Sequence, residues 1–170
     1  MTAERYNKIS APFRKNAKLK KALILYNKIA TLLIAAAYLA TAAYLAVRTD
    51  GRVLPATIPS AVGFALVSLL RILVNRRRPY EVLGIEPLLE KKTKGKSMPS
   101  RHLFSAFSIA VVFFYLCPAA GIAVAVLGVL LGLCRVILGV HFPSDVLVGA
   151  LVGLVFTALG VYLPPWDRLW

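Results

Sequence analysis

The sequence predicts an all-α integral membrane protein with about five transmembrane helices and a basic amphipathic interfacial helix at its N-terminal end. Hydrophobic residues make up 59% of the 170 residues and charged residues only 16%, whereas charged residues are about 25% of an ordinary soluble domain. The apolar residues form five stretches long enough to cross a bilayer, which takes roughly 17 to 25 residues. Lysine and arginine cluster outside these stretches.

The N-terminal segment, residues 1–28, is basic and amphipathic. Within it, residues 13–28 mix lysine with leucine, isoleucine and tyrosine, which predicts a helix that lies in the membrane interface and runs into the first span. Residues 29–170 are predicted to form a single transmembrane domain. No cleaved signal is expected, because the first apolar stretch is too long for a signal core and lacks a small-residue cleavage site. The spans are predicted over 29–47, 53–75, 102–117, 119–139 and 145–163.

Short turns separate these spans. Asp50 and Gly51 mark a turn after the first span, and Pro118 marks a break between the third and the fourth. Cys117 and Cys134 lie within or beside spans and have neither ligand-type nor paired spacing. We interpret both as small core residues rather than as a disulfide or a reactive thiol.

The net charge of +14 is concentrated in two clusters beside the spans. Seven of the 21 lysines and arginines fall in the first 21 residues, and a second cluster fills the only long loop, between the second and third spans. Such clusters are typical of attraction to anionic lipid headgroups and of retention on the cytoplasmic side. Nucleic-acid binding is not expected, because no soluble domain remains to contact bases or a groove.

The second span carries two arginines near its end. Arg71 and Arg78 are seven residues apart, or two helical turns, so a continuous helix would place both on nearly the same face. Pro79 disfavours helical geometry at the residue before it, so the helix is predicted to end near Arg78 and to direct that side chain into the loop. Taken alone, the pair is equally compatible with arginines that snorkel to the headgroups.

Both histidines of the chain lie in short polar motifs at span ends. Ser100 lies where the long loop enters the third span, so we expect it to cap that helix while free N–H groups face a bound anion. Alone, His102 would be interpreted as an ordinary capping or interfacial histidine. His141 and Asp145 are four residues apart around Pro143, which suits a first helical turn. There the carboxylate can hold one imidazole nitrogen and leave the other facing a substrate.

Together these motifs resemble the signature of the type 2 phosphatidic acid phosphatase superfamily, which also includes the vanadium haloperoxidases. The matching residues occur in the family's order and spacing: Arg71-x6-Arg78-Pro79, Pro99-Ser100-Arg101-His102 and Arg135-x5-His141-x3-Asp145. Two positions depart from the family pattern. Arg71 stands where lysine is usual, which keeps the charge but changes the hydrogen-bond geometry. Arg101 stands where glycine is usual, which either removes a backbone contact to phosphate that relies on glycine or adds a cation to the expected pocket.

The resemblance implies a phosphohistidine mechanism. His141 would attack phosphorus, Asp145 would hold its ring in the reactive tautomer, and His102 would protonate the leaving oxygen. The oxygens of the phosphate would be bound by Arg71, Arg78, Ser100, Arg101 and Arg135. Neither a metal nor another cofactor is expected, because the motifs contain one carboxylate and two-metal phosphatases need clusters of them. Three glutamates of the basic loop are interpreted as surface partners: Glu81, Glu86 and Glu90.

All three motifs fall at the same end of the predicted spans, so we expect a pocket at headgroup level that admits a membrane-embedded phosphorylated lipid. Phosphatidate, phosphatidylglycerophosphate, a prenyl phosphate or diphosphate, and a glycolipid phosphate all fit. A haloperoxidase is disfavoured, because those relatives are generally soluble and larger. With five spans, the N-terminus and the pocket lie on one side, and the N-terminal cations favour the cytoplasmic face of the cell membrane. No oligomeric state is predicted.

Two other classes of function remain compatible with the sequence. In the first, the protein binds or translocates phosphorylated lipids without hydrolysing them. In the second, it is a structural membrane protein anchored by its charged turns. A transporter predicts polar or broken positions at mid-membrane depth, where the spans offer little beyond serine and threonine. The structural alternative requires three matching motifs to be coincidental, so hydrolysis is the preferred hypothesis.

Overall fold

The computed structural model describes residues 1–91 and 93–166. Within these ranges the chain forms α1 (Ala3–Lys15), α2 (Ala17–Val47), α3 (Val53–Val74), α4 (Pro79–Val82), α5 (Arg101–Leu116), α6 (Pro118–Ile137) and α7 (Pro143–Tyr162). Four segments, which contain α2, α3, α6 and α7, are long and apolar enough to cross a membrane, and α5 is a shorter apolar helix of 16 residues. The prediction of an all-helical membrane protein is confirmed, and its five spans correspond to α2, α3, α5, α6 and α7.

The bundle is organised around α5, which packs along α6 and α7 and also against α3. Glycines on α7 allow its backbone to approach α5 closely. A Cβ atom on Gly149 would lie 2.5 Å from the carbonyl oxygen of Ser100, and one on Gly153 would lie 2.5 Å from that of Phe104. This close packing fixes the beginning of α5 against the beginning of α7.

A chain of hydroxyl groups joins three helices deep in the bundle. Ser108 Oγ on α5 donates to Ser60 Oγ on α3 at 2.9 Å, and Thr157 Oγ1 on α7 donates to Ser108 Oγ at 2.8 Å. All three side chains are buried. Hydrogen bonds of this kind stabilise contacts between transmembrane helices by about 0.6 kcal/mol on average. These polar residues therefore serve helix packing.

The N-terminal helices differ from the predicted helix over residues 13–28. The backbone of Asn16 is extended, and its Oδ1 accepts hydrogen bonds from the backbone N–H groups of Lys18 at 2.9 Å and Leu19 at 3.2 Å. Asparagine is among the best N-cap residues, so the chain breaks there and α2 begins. The amphipathic helix is α1, which lies earlier in the chain than predicted, and α2 is continuous with the first span.

Although α1 is polar overall, one side of it is buried against the turn between α6 and α7. Tyr6 and Ser10 are both 0% exposed. Gly139 has a φ of +75°, and a Cβ atom there would lie 2.5 Å from the Tyr6 hydroxyl oxygen, so this close contact requires glycine. The Tyr6 hydroxyl donates to the carbonyl oxygen of Glu86 at 3.4 Å. Helix α1 therefore lies at the same end of the bundle as the α6–α7 turn.

The end of α3 also departs from the prediction. The helix ends before Asn75, which caps it in the left-handed conformation with φ 39° and ψ 39°, a conformation that asparagine tolerates better than most residues. Arg78 has an extended backbone, with φ −85° and ψ 161°, as the following Pro79 requires. Arg71 and Arg78 therefore do not share a helical face, contrary to the prediction.

Candidate active site

The three sequence motifs meet in one cavity, where α3 ends, α5 begins and α6 turns into α7. This space, which we call the cationic cavity, has a volume of about 400 Å³. Its lining residues are Ser68, Arg71, Ile72, Arg78, Lys91, Thr93, Lys96, Arg101, His102, Arg135 and His141. Six of these are lysine or arginine, and the described residues that line it include no carboxylate. The cavity is therefore suited to an anion.

Asp145 lies directly behind His141. It is 0% exposed and His141 is 2% exposed. Asp145 Oδ2 lies 3.6 Å from His141 Nδ1 and accepts hydrogen bonds from Ser97 Oγ at 2.5 Å and from the backbone N–H of Phe142 at 2.9 Å. A carboxylate on the Nδ1 side favours the tautomer with its proton on Nδ1. The lone pair of Nε2 is then free.

Arg76 holds the other oxygen of Asp145. Its Nη1 lies 2.8 Å from Asp145 Oδ1 and also donates to Ser144 Oγ at 2.8 Å. The guanidinium carbon lies 4.5 Å from the centroid of the Phe142 ring. Both oxygens of this buried carboxylate therefore have donors, which offsets the cost of removing the charge from water.

The surroundings of His141 keep its imidazole neutral. Burial lowers the pKa of His141 from 6.5 to about 4. The neighbouring carboxylate of Asp145 acts in the opposite direction, while the positive charges of Arg135 and Arg78 lower the pKa further. Only the neutral ring offers a lone pair to an electrophile. His141 is therefore in its nucleophilic form at pH 7.

Main-chain carbonyl groups anchor two of the arginines. Arg78 donates from Nε to the carbonyl oxygen of Gly95 at 3.0 Å and from Nη1 to that of Val140 at 3.1 Å. Arg71 donates from Nε to the carbonyl oxygen of Lys96 at 3.1 Å. Carbonyl groups orient a guanidinium group without neutralising its charge. Both arginines are thus fixed in position and remain available to an anion.

Glu81 organises the loop that supplies two of these groups. Its Oε2 accepts hydrogen bonds from the backbone N–H groups of Arg78 and Gly95, both at 2.8 Å. Burial acts to raise the pKa of Glu81, but these backbone hydrogen bonds and the charge of Arg78 lower it overall. The interpretation of Glu81 as a surface partner is wrong, since it binds main-chain N–H groups.

Arg135 has buried N–H groups that lack a protein acceptor. It is 2% exposed, and its Nη1 donates to Asn27 Oδ1 on α2 at 3.1 Å. Its Nε and Nη2 have no hydrogen-bond partner among the described residues. An unsatisfied buried donor costs about 1–3 kcal/mol. Arg135 also lines the cationic cavity, so its positive charge can act on an anion bound there.

Ser100 occupies the N-cap position of α5, but its hydroxyl does not cap the helix as predicted. It is 0% exposed, and its Oγ has no partner within the described part of the chain. Its backbone N–H donates to the carbonyl oxygen of Asp145 at 3.0 Å. The residue thus joins the beginnings of α5 and α7, behind the residues that line the cavity.

Arg101 and His102 lie between the cationic cavity and an apolar space. Both also line a second cavity of about 290 Å³, whose other walls come mainly from apolar side chains of α2, α3, α5 and α6. A third cavity of about 400 Å³ continues from it, and the two share Ala35, Phe64, Ser105 and Ile109. We call the second and third cavities together the apolar groove. The Arg101 guanidinium carbon lies 5.7 Å from the centroid of the Phe64 ring in its wall.

The structure brings the eight residues predicted for the site to one end of the bundle. Six line the cationic cavity, whereas Asp145 and Ser100 lie behind it. The sequence alone indicated no specific role for four further residues of the site: Arg76, Ser97, Lys91 and Asn27. Of these four, only Asn27 has a sequence feature that predicts an interaction, because an amide side chain in a long apolar helix needs a hydrogen-bond partner.

The sequence profile of the PAP2 superfamily matches residues 52–169. The chain belongs to the PAP2 superfamily. The match extends from the beginning of α3 to near the C-terminus, so it contains all three motifs, while α1 and α2 precede it. The resemblance found in the sequence is confirmed.

Similar curated proteins come from bacteria. The bacitracin transport permease protein BcrC of Bacillus licheniformis is 33% identical over 111 residues, which are 65% of this chain and 54% of that protein. The lipid A 1-phosphatase of Rhizobium johnstonii is 30% identical over 55% of this chain and 40% of its own. The undecaprenyl-diphosphatase BcrC of Bacillus subtilis is 27% identical over 81% of this chain and 74% of its own. The chain thus spans about half the length of the first two relatives.

Two crystal structures share the fold. Aquifex aeolicus LpxE superimposes with a TM-score of 0.73 over 94% of both chains, at 23% identity. The first transmembrane PAP2 type phosphatidylglycerolphosphate phosphatase from Bacillus subtilis gives a TM-score of 0.64 over 92% of this chain and 83% of that chain, also at 23% identity. Family membership and the long apolar helices identify the chain as a multi-pass membrane protein.

Proposed function

We propose that the protein is a metal-independent lipid phosphatase, which hydrolyses a phosphate ester or diphosphate of a membrane lipid through a phosphohistidine intermediate. One observation carries this proposal: a buried neutral imidazole, His141 with Asp145 behind it, faces a cavity lined by six cationic side chains. Phosphoryl transfer depends mainly on positioning and on neutralising the charge of the phosphate oxygens. The cationic cavity offers both.

In the first step, Nε2 of His141 attacks phosphorus. Asp145 stabilises the positive charge that develops on the ring, because its Oδ2 lies on the Nδ1 side. Arg71, Arg78 and Arg135 bind the nonbridging oxygens, and arginine is suited to this task because its N–H groups can bind two oxygens at once. The two unpartnered nitrogens of Arg135 find acceptors in this way.

His102 acts at the leaving group. It lies where the cationic cavity meets the apolar groove, so it is next to the oxygen that joins phosphorus to the lipid. His102 becomes protonated when the anionic phosphate binds beside it, because a neighbouring negative charge favours the charged imidazole, and it gives this proton to that oxygen as the P–O bond breaks. In the second step His102, now neutral, accepts a proton from a water molecule. The water oxygen attacks phosphorus, the bond between phosphorus and His141 breaks, and inorganic phosphate is released. Each proton and each bond is thereby accounted for.

The apolar groove supports a lipid substrate. Its walls are mainly apolar, and the residues that it shares with the cationic cavity are Arg101 and His102. A phosphate group can bind among the arginines while its hydrocarbon chain lies in the groove. The names of two relatives, a lipid A 1-phosphatase and an undecaprenyl-diphosphatase, support the same class of substrate.

The cytoplasmic face is the side proposed for the site. Helix α1 packs on the α6–α7 turn, so the seven cations of the first 21 residues lie at the catalytic end of the bundle. Positive charge beside membrane spans favours the cytoplasm and attracts anionic headgroups. In a Cys117→Ser, Cys134→Ser background, which removes the native thiols, a cysteine introduced at Thr2 should resist an impermeant maleimide in intact cells and react after permeabilisation. Reaction in intact cells would place the site outside.

The activity is tested by phosphate release from detergent-solubilised protein on a panel of lipid phosphates, with a chelator present. We expect release by the wild type, and loss of release in His141→Ala and in His102→Ala. Arg77→Ala is the control, because Arg77 is exposed and does not line the cavity. Binding of the lipids without release would favour a binding or translocating protein, and activity that disappears with the chelator would contradict metal independence.

A further inference from the structure

The path from the nucleophile to the apolar groove passes a cation that the first step of the reaction does not use. Arg71, Arg78 and Arg135 line only the cationic cavity, whereas Arg101 lines that cavity and the groove as well. Arg101 therefore lies beyond the phosphorus that His141 attacks, on the side of the lipid. Any group bound at Arg101 belongs to the leaving part of the substrate.

The charge of the site exceeds what one phosphate ester can balance. Six lysine and arginine side chains line the cationic cavity, without a carboxylate among its described lining residues. A phosphate monoester carries at most about two negative charges. Burial, followed by the positive charges of Arg135, Arg78, Arg71 and Arg101, lowers the pKa of Lys91 to about 8. These crowded cations favour a substrate that brings more than one anionic group.

Within residues 1–91 and 93–166, Arg101 has no acidic partner. The ion pairs among the described residues do not include it, and its guanidinium group lies against the aromatic ring of Phe64. A ring contact of this kind orients the group but leaves its N–H donors available. Arg101 is therefore a positioned cation at the boundary between phosphate and hydrocarbon.

We propose that the site prefers lipid diphosphates to lipid monophosphates, and that Arg101 binds the inner phosphate, which becomes the leaving group. This inference rests on the proposed function and specifies its substrate class. His141 attacks the outer phosphorus and the anhydride P–O bond breaks, which leaves a lipid monophosphate. Water then cleaves the phosphohistidine to inorganic phosphate, with release of one proton to solvent near neutral pH. The charge that builds up on the inner phosphate as the bond breaks is stabilised by Arg101.

The test compares two substrates with the same hydrocarbon chain, farnesyl diphosphate and farnesyl monophosphate. For the wild type we expect kcat/KM to be at least about 10-fold higher with the diphosphate, since one charged donor at a developing anion contributes about 10²–10³-fold. Arg101→Gln should reduce this ratio about 10-fold or more, and Arg101→Lys should restore part of it. The same comparison with a diacylglycerol diphosphate and phosphatidate shows whether the preference follows the phosphate groups rather than the chain.

Lys91→Gln is the matched control, because Lys91 lines the cationic cavity but not the groove. It should lower turnover of both substrates and reduce the diphosphate-to-monophosphate ratio clearly less than Arg101→Gln does. A wild type that prefers the monophosphate, or an Arg101→Gln variant that loses both activities equally while eluting as well-folded protein, would overturn the inference. Hydrolysis of the monophosphate alone would leave the proposed phosphatase intact, whereas hydrolysis of no lipid phosphate or diphosphate would refute both.

Discussion

The polar groups on the two sides of His141 differ in how many of their hydrogen bonds are made within the protein. On one side, Asp145 accepts hydrogen bonds from Ser97, Arg76 and the backbone N–H of Phe142. On the other side, Arg135 retains two buried nitrogens without a protein acceptor in the described part of the chain. The carboxylate side is thus complete in the folded protein, whereas the arginine side is completed by phosphate oxygens only in the proposed mechanism.

This difference predicts opposite effects on stability for changes on the two sides. A change on the carboxylate side leaves a buried donor or charge without its partner, which destabilises the fold. A change on the arginine side removes a buried cation that the protein itself does not neutralise. It should therefore cost activity while leaving stability equal or higher, a trade-off common at active sites.

The largest effect is expected for Asp145→Asn. The amide cannot stabilise the charge that develops on His141 and leaves Arg76 without its ion pair, so we expect kcat to fall about 10³–10⁴-fold and the melting temperature to fall as well. Phosphate release and thermal unfolding in the same detergent measure both. The control is Ser144→Ala, which removes an exposed neighbour that Arg76 also contacts and should change neither quantity greatly. A variant of normal stability would show that the carboxylate side is not a structural unit.

A smaller loss is expected for Arg135→Met, which keeps a long side chain but removes the charge. Loss of one phosphate-binding donor should lower kcat/KM about 10²–10³-fold. Because two unsatisfied buried nitrogens disappear, the melting temperature should remain the same or rise. Arg77→Met, at an exposed arginine that does not line the cavity, is the matched control. A clear decrease in stability would contradict the view that the arginine side is incomplete without substrate.

Ser97→Ala should have a modest effect. Its hydroxyl donates to Asp145 and lies 3.4 Å from His141 Nδ1, so its removal loosens the carboxylate but leaves Arg76 and the backbone donor in place. One hydrogen bond of this kind contributes about 1–2 kcal/mol, and we expect a decrease in kcat of about 10-fold. Ser97→Thr, which keeps the hydroxyl, should recover most of the rate if the loss comes from the hydrogen bond.

The smallest expected effect is the pH dependence of the wild type on the acid side. Burial lowers the pKa of His141 to about 4, so the nucleophile stays neutral as the pH falls from 7 to 5.5. Protonation should inactivate it only as the pH approaches 4. The profile of kcat/KM, which reports groups of the free protein, should therefore show no loss from this group near pH 6.5. An acid limb near pH 6.5 that moves in Asp145→Asn would contradict this assignment.

The sequence was sufficient to predict that the motifs meet, because each one lies at a span end and consecutive spans alternate in direction. It was not sufficient where a tertiary partner decides the structure. In the sequence, Arg76 cannot be distinguished from the other cations of the loop. Only the fold places it against the carboxylate of Asp145, which is 69 positions later in the chain. Asn27 is likewise 108 positions from Arg135, a separation that no local pattern reports.

Helix ends show the same limit on a smaller scale. Pro79 predicted correctly that Arg78 is not helical. However, the helix ended at Asn75, because an asparagine in the left-handed conformation closed it first. At the N-terminal end, Asn16 divided a pattern that hydrophobicity alone made continuous. Asparagine side chains can replace main-chain hydrogen bonds at such positions. Whether a helix ends at an asparagine or continues through it therefore depends on the surrounding contacts.

The length of α5 links the site to the thickness of the membrane. Its 16 residues span about 24 Å, roughly 6 Å less than the hydrocarbon core of a typical bilayer. Because longer helices surround α5, the bilayer can keep its thickness around the bundle, and a phosphate bound at the beginning of α5 is drawn below the plane of the neighbouring headgroups. The depth of this displacement grows with bilayer thickness, so short-chain lipids around the protein favour substrate access and long-chain lipids oppose it.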